Sequence, residues 1–369
     1  MSTFVAGSAK TQLDQLLEEL CIALQLSPAQ YRDAEEKYVA VGTWLADAGS
    51  PLDGLNPVIY PQGSMALQTT VKPREHEEFD LDLVLQVEPI SESPMTLYEQ
   101  VYRRLKEHKV YADKIERLKR CIRLNYAKQF HLDILPARAD RVRGGTCIEV
   151  PDRKLETWVP SNPLGYRDWF EERCAQAVIL KEAMQEPLPP NTPAVLKAVL
   201  KRAVQLMKRH RDVKFMREDE APRSIVLTTL AGHFYAGEFS VTRALLAILK
   251  GIVGAVEAAS PDRIVLVNPT NPAERFCEAW TDKTYRRFTE FVYAFQEEME
   301  ALAAARGLDN IGGRLNAMFG EQVGSRVMRE YVEKMTRARE SGTLGFTAAG
   351  LTTSERSAKP IPKNTFYGS

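Results

Sequence analysis

The stretch Phe79–Val87 constrains the fold more than any other part of this chain. Phe79, Leu81, Leu83 and Leu85 alternate with Asp80, Asp82, Val84 and Gln86. A period of two belongs to a β-strand, whose successive side chains point to opposite faces. One face is apolar throughout, so the strand lies against a core. The other opens with two carboxylates at i and i+2, which stand on the same side. Like charges this close repel unless positive charge sits between them. A divalent metal meets that need, and hard oxygen ligands favour Mg²⁺. A D-x-D pair alone is a weak motif. Acids leading a half-buried strand, however, are hard to explain as a solvated surface.

Upstream, Gly63-Ser64 follows Ile59-Tyr60-Pro61-Gln62 as a turn. Such a turn offers backbone N–H groups to an anion, and glycine permits close approach. Carboxylates that hold metal beside a phosphate-cradling turn point to phosphoryl or nucleotidyl transfer. Glu78 lies at i−2 from Asp80, so Glu78/Asp80 is an alternative ligand pair.

The chain has 369 residues, enough for two lobes that share a cleft. Its formal net charge is zero, so no global field draws in nucleic acid, and no obligate nucleic-acid partner is expected. No apolar run approaches the ~20 residues of a membrane span. The N-terminus lacks the basic and apolar regions of a signal peptide, and a cytoplasmic location is expected. The cysteines Cys21, Cys121, Cys147, Cys174 and Cys277 are scattered, with no C-x-x-C pair. They read as reduced thiols without a zinc site.

Leucine spacing predicts a helix over 9–26, and Ser27-Pro28 opens another to Ala48. A helix is expected over 96–108, then strands over 121–126 and 130–136 as antiparallel neighbours. Asp133 and His131 share one face of the second strand; the histidine reads as a packing or hydrogen-bonding residue rather than a ligand. Residues 141–162 read as a β-rich linker. From Pro163 helical periodicity dominates, with helices near 165–185, 192–211, 222–237, 241–259, 273–304, 308–319 and 321–340. Residues 264–272 read as a short strand and turn. The expected organisation is a catalytic sheet lobe with N-terminal helices (1–162), a helical lobe (163–340) and a flexible tail (341–369). The fold class is α+β: a mixed sheet with helices, packed against a C-terminal helical lobe across a central cleft.

Five segments match one family in order. The Gly63-Ser64 turn with Asp80-Leu81-Asp82-Leu83-Val84 resembles the signature of the polymerase-β-like nucleotidyltransferases. Phe130–Ala137 is similar to the third-carboxylate strand of the oligoadenylate synthetase and cyclic GMP-AMP synthase branch. Val204–Asp212 resembles that branch's basic helix, Pro222–Leu230 its serine-containing helix start, and Val267–Phe276 its late Asn/Asp-Pro turn. The set most resembles the bacterial CD-NTases, DncV-like enzymes of CBASS anti-phage systems, over roughly residues 59–280. Fifteen residues separate Ser64 from Asp80, slightly more than the minimal family spacing.

The resemblance implies a cyclic oligonucleotide synthase that makes a cyclic di- or trinucleotide from ATP and/or GTP. It implies two Mg²⁺ ions, for which Mn²⁺ can substitute, on Asp80, Asp82 and Asp133. Gly63 and Ser64 would hold the triphosphate, with Gln62 and Thr70 as further candidates. It selects Lys208 from the run Lys208–Arg211, which otherwise reads as a solvated basic face, and Ser224, which otherwise reads as a helix cap. It implies a partner effector switched by the product. A C-terminus conjugated by an E1/E2-like partner would suit the end Phe366-Tyr367-Gly368-Ser369. Two rival readings share these residues: another template-free nucleotidyltransferase, acting on RNA ends or proteins, and a non-catalytic nucleotide- or RNA-binding module.

Overall fold

Along the chain run α1 (Gln12–Ala23), α2 (Pro28–Ala46), β1 (Val58–Gln62), α3 (Gly63–Ala66), β2 (Phe79–Val87) and α4 (Pro94–Glu107). Then come β3 (Ile115–Arg117), β4 (Ile122–Tyr126), β5 (Phe130–Ala139), β6 (Ile148–Asp152), β7 (Thr157–Ser161) and α5 (Pro163–Arg173). The later part holds α6 (Val199–Phe215), α7 (Ser224–Phe234), α8 (Val241–Ala259), β8 (Val267–Asn268), β9 (Asn271–Arg275) and α9 (Asp282–Ala304). It ends with α10 (Leu308–Phe319), α11 (Glu321–Glu340), β10 (Gly345–Thr347), β11 (Gly350–Thr352) and β12 (Lys359–Pro360). This computed structural model describes residues 11–74, 78–126, 130–174, 188–216, 218, 220–347, 350–352 and 359–360. Gly368 and Ser369 lie outside them, as does the expected helix beyond Cys174 to residue 185.

The main sheet runs β1-β2-β5-β4-β3, with β6 and β7 continuing from the far end of β5. β2 pairs with β5 in parallel, while β1–β2 and β4–β5 are antiparallel. Pro61 is tolerated because β1 is an edge strand. Pro136 falls where β4 has ended and β6 has not begun, so no neighbour on that side needs its missing N–H. The expected linker 141–162 is thus part of the sheet.

The alternation of β2 sorts its side chains as expected: Leu81, Leu83 and Leu85 are buried with α2 and α4 against one face. A separate core fills the helical lobe, built on α6, α8, α9 and α11. Both N-terminal helices begin at capping boxes, Thr11 with Asp14 and Ser27 with Gln30. Only α2 joins the sheet. Helix α1, expected in the sheet lobe, packs Leu13, Leu16, Leu17, Leu20 and Leu24 into the helical core. The sheet's apolar face is already covered by α2 and α4, and the faces of α8 and α11 supply the apolar partners that α1 needs.

Two further boundaries move. The helix expected over 273–304 begins at Asp282, where Thr281 accepts a hydrogen bond from the Thr284 amide. Residues 271–275 pair with β8 instead. The tail expected to be flexible contains three short strands, β10–β12, in a sheet of their own. Among the described residues no helix is long and apolar enough to cross a membrane.

Because Leu20 is fully buried between α1 and the helical core, Leu20→Ala should cost about 2–5 kcal/mol. Urea unfolding of the full chain measures this, and a loss below about 1 kcal/mol would show that α1 is not integral to that lobe.

Candidate active site

Sheet register brings the acids together. In the parallel β2–β5 pair, Asp82 stands opposite Asp133 and Asp80 opposite His131. In the antiparallel β4–β5 pair, Arg123 stands opposite Asp133 from the other side. One row across three strands therefore reads Asp82, Asp133, Arg123. Arg123 grips Asp133 with both arms of its guanidinium, Nε–Oδ1 at 2.7 Å and Nη2–Oδ2 at 2.8 Å. The same Nη2 reaches Asp80 Oδ1 at 3.2 Å. Glu78, the alternative ligand, pairs with His131 Nε2 at 2.9 Å.

The turn sits over these acids. Gln62 ends β1 in register with Asp82, and Gly63 opens α3 with φ +64°. A Cβ on Gly63 would lie 2.3 Å from Asp82 Oδ2, so only glycine lets the turn approach the carboxylate. Ser64 Oγ shares a hydrogen bond with Thr70 Oγ1 at 3.1 Å.

The helical lobe supplies the opposite wall. Arg209 and His210, otherwise read as part of a solvated basic face, are 3 and 0% exposed, and Lys208, which the resemblance selects for the cleft, is 4% exposed. Helix α6 is buried along this side because it grips the segment after α3. Lys208 Nζ donates to Thr69 Oγ1 at 2.8 Å, Gln205 Nε2 to Thr70 O at 2.6 Å, and Arg209 Nη2 to Lys72 O. His210 stacks on Phe295. Ser224 opens α7, and its Oγ accepts from Arg211 Nη1 at 2.8 Å.

A cleft of about 810 Å³ lies between the lobes. Gly63, Ser64, Asp80 and Asp82 line it from the sheet, and Lys208, Arg211 and Ser224 from the helices. Asp133 sits behind this lining, buried beside Arg123. Sequence reasoning missed Arg123, and it left Arg211 within the basic run without selecting it. Arg211 is one helical turn from Lys208, and Arg123 follows once β4 is laid antiparallel to β5 in register.

Charge in the cleft is strained. Asp82 is pushed up to about 8, first by desolvation and then by the charges of Asp80 and Asp133. Asp80 is raised by desolvation and by Asp133, with Arg123 opposing. Lys208 is lowered to about 7 by burial and by Arg211.

These residues fit a divalent cation. The donor set is all carboxylate, and the Arg123 guanidinium already stands as positive charge between Asp80 and Asp133. As the side chains stand, Asp133 is turned to Arg123. Among the described residues no three acidic, histidine or cysteine groups converge closely enough to hold an ion. The sheet sets Asp82 beside Asp133, with Asp80 two residues away on the same face of β2, but does not present them as a finished cage.

Comparison with known proteins places the chain in a family. Residues 11–174 match the model of the Second Messenger Oligonucleotide or Dinucleotide Synthetase domain. The chain is 33% identical over 374 residues to a c-di-GMP synthase of Roseivirga ehrenbergii, covering 99% of each. It is 31% identical to the cyclic dinucleotide synthase CdnG of Bradyrhizobium diazoefficiens over 92% of this chain and 88% of that one. The structure of that CD-NTase CdnG in complex with GTP superimposes with a TM-score of 0.71 at 29% identity, covering 87% of this chain and 99% of the other. The protein therefore belongs to the CD-NTase family of CBASS type. It is a nucleotidyltransferase that synthesises cyclic oligonucleotides.

Two predictions follow from this geometry. Gly63→Ala should leave the circular dichroism unchanged but lower turnover on the order of 100-fold, because the new methyl displaces Asp82. Activity within a factor of about three of the parent would exclude that close approach. The second concerns pH. Asp82's folded value lies above its ordinary one of 3.8, so its contribution favours the fold at low pH and is lost as pH rises through about 8. Lys208 has the opposite sign: its contribution is present at high pH and is lost as pH falls through about 7. In chelator, Asp82→Asn should therefore gain thermal stability relative to the parent from roughly pH 5 to pH 8. Melting curves that stay parallel across that range would contradict the strained carboxylate.

Proposed function

We propose that the chain makes a cyclic dinucleotide from two molecules of GTP, with Asp80, Asp82 and Asp133 as its metal-binding acids. The observation that carries the product class is the full-length match to a c-di-GMP synthase, which leaves no lobe unaccounted for. The GTP complex of the CdnG relative supports guanine as the base.

In each round a ribose hydroxyl attacks the α-phosphorus of GTP. An O–P bond forms, the bond from the α-phosphorus to the β-bridging oxygen breaks, and pyrophosphate leaves with the electron pair. Asp80, Asp82 and Asp133 would hold two Mg²⁺ ions, which when bound would offset the triphosphate charge and favour ionisation of the attacking hydroxyl. Gly63 and Ser64 bind the phosphate tail by backbone N–H and hydroxyl. Lys208 and Ser224 meet that tail from the helical wall, and Arg211, bonded to Ser224 Oγ, adds charge there. Asp133 orients the attacking hydroxyl and favours loss of its proton to the open cleft. The two lobes hold donor and acceptor in line and exclude much of the water. The linear intermediate then rebinds with its other end at the acids, and a second displacement closes the ring.

The product would switch on a partner effector in anti-phage defence, the role typical of this family. An E1/E2-like partner would conjugate the C-terminal end at Gly368 and Ser369.

Asp80→Asn combined with Asp82→Asn should abolish pyrophosphate release while the protein stays folded. Asp133→Asn should keep GTP binding and lose turnover. A coupled pyrophosphate assay and calorimetric GTP titration separate the two outcomes. Mass spectrometry of products from the four ribonucleotides, after phosphatase treatment, should show a phosphatase-resistant cyclic di-guanylate. A linear product, or persistent turnover in the double variant, would overturn the assignment.

A further inference from the structure

Arg123 does more than pair with one acid. Its fork takes both oxygens of Asp133, and the same guanidinium reaches across to Asp80. It enters from β4, which carries none of the three acids, and its side chain is largely buried at 22% exposed. The acid it grips most tightly is buried more deeply, while Asp80 remains 58% exposed at the cleft. A bidentate guanidinium–carboxylate pair in such a place is strong and directional.

Its charge matters as much as its geometry. Asp80, Asp82 and Asp133 are three like charges, and Arg123 is the cation bonded directly to two of them; Lys208 and Arg211 stand on the opposite wall, and Glu78 and Asp212 also line the cleft. A divalent ion on these acids and the Arg123 guanidinium repel each other, and a bound triphosphate, with about four negative charges at neutral pH, offsets that repulsion. Without Arg123, the acids lose the adjacent positive charge that opposes the ion when no nucleotide is present.

We propose that Arg123 is a built-in counter-cation that competes with the divalent metal for Asp133 and Asp80, and so makes metal loading depend on the arrival of the nucleoside triphosphate. This rests on the reading of Asp80, Asp82 and Asp133 as metal-binding acids. In the metal-free enzyme, Arg123 screens the acids from one another and holds the row together. When metal and triphosphate enter together, Asp133 turns from Arg123 toward the cleft. The guanidinium is thus a positioning residue, not a catalytic one. A consequence is that the resting enzyme does not sequester divalent cations between turnovers.

The test is Mn²⁺ binding to the full chain, followed by the electron paramagnetic resonance of free Mn²⁺, with and without a nonhydrolysable GTP analogue. Without nucleotide, Arg123→Gln should bind Mn²⁺ at least about tenfold tighter than the parent, since one opposing charge is gone. The gap should narrow when the analogue is added. The melting temperature of Arg123→Gln in chelator should fall below the parent's, and Mn²⁺ should recover it. Arg123→Lys keeps the charge without the fork, so its Mn²⁺ affinity should stay within about threefold of the parent's. It keeps the question open to disproof if the glutamine variant does not fold. Equal or weaker Mn²⁺ binding by Arg123→Gln, or weakening by more than about tenfold in Arg123→Lys, would overturn the proposal, because Arg123 would then support the ion by orienting Asp133.

Adding Asp82→Asn to Arg123→Gln separates the two layers. If the added change abolishes Mn²⁺ binding while Arg123→Gln alone is no tighter than the parent, the metal-binding acids stand and the counter-cation role fails. If Mn²⁺ binding is unchanged by Asp82→Asn, the reading of the acids fails and takes the counter-cation role with it.

Discussion

Repulsion among three carboxylates on neighbouring strands is the constraint around which this molecule is arranged. The apolar sides of β2 and β5 must face the same core, which fixes Leu81 beside Leu132 and Leu83 beside Ile134. A slip of one residue would turn either strand's leucines toward the cleft. The register that buries the leucines therefore also sets Asp82 opposite Asp133. Hydrophobic burial holds in place a charge arrangement that would push itself apart. Asp82 carries the cost, its carboxyl raised to about 8 by burial and by its acidic neighbours.

Cations from both lobes meet that charge in different ways. Arg123 answers it within the sheet, by direct pairing. Lys208 answers from across the cleft and is itself desolvated, its ammonium lowered to about 7. It is anchored to Thr69 and so to the segment that follows the Gly63-Ser64 turn. Gln205 and Arg209 hold the carbonyls of Thr70 and Lys72 on the same segment. The basic side of α6 is thus spent on joining the lobes as much as on facing a substrate. Its burial follows from these backbone bonds, since a buried charge needs a partner in hand.

Much of this was legible in the residues. Alternation in Phe79–Val87 and Phe130–Pro136 gave both acid-bearing strands and the faces of Asp80, Asp82 and Asp133. Ser27-Pro28 gave the start of α2, and helical periodicity gave the starts of α8 and α11. Less visible were features decided by what else competes for a surface. Nothing local in α1 says that its leucines belong to the distant helical lobe; that follows only once α2 and α4 have covered the sheet. Nor do Lys208 and Arg209 announce their burial, because runs of basic residues on a helix are mostly solvated and their backbone acceptors, on Thr69 and Lys72, lie over 130 positions away. Arg123 was hidden for a related reason: its meaning depends on the register of β4 against β5, and one strand alone cannot supply it.

A second join sets how the lobes stand to each other. At the end of β7, Ser161 Oγ donates to Glu274 at 3.0 Å, and the Asn162 amide donates to the same carboxylate at 3.2 Å. Asn268 Nδ2 donates to Glu274 as well, at 2.7 Å, and Asn162 Nδ2 reaches Thr270 O at 3.2 Å. The last strand of the sheet and the first turn of α5 are thereby tied to the β8–β9 ribbon of the helical lobe. Such a hydrogen-bonded network around one carboxylate is directional, where apolar packing between lobes would allow sliding. A ring-forming enzyme needs that directionality. On the proposed mechanism its intermediate would turn end for end and meet the same acids again, which requires the two lobes to keep their spacing between the two displacements. With α6 bonded to the segment after α3, and β7 bonded to β9, the two lobes are joined at two separate places.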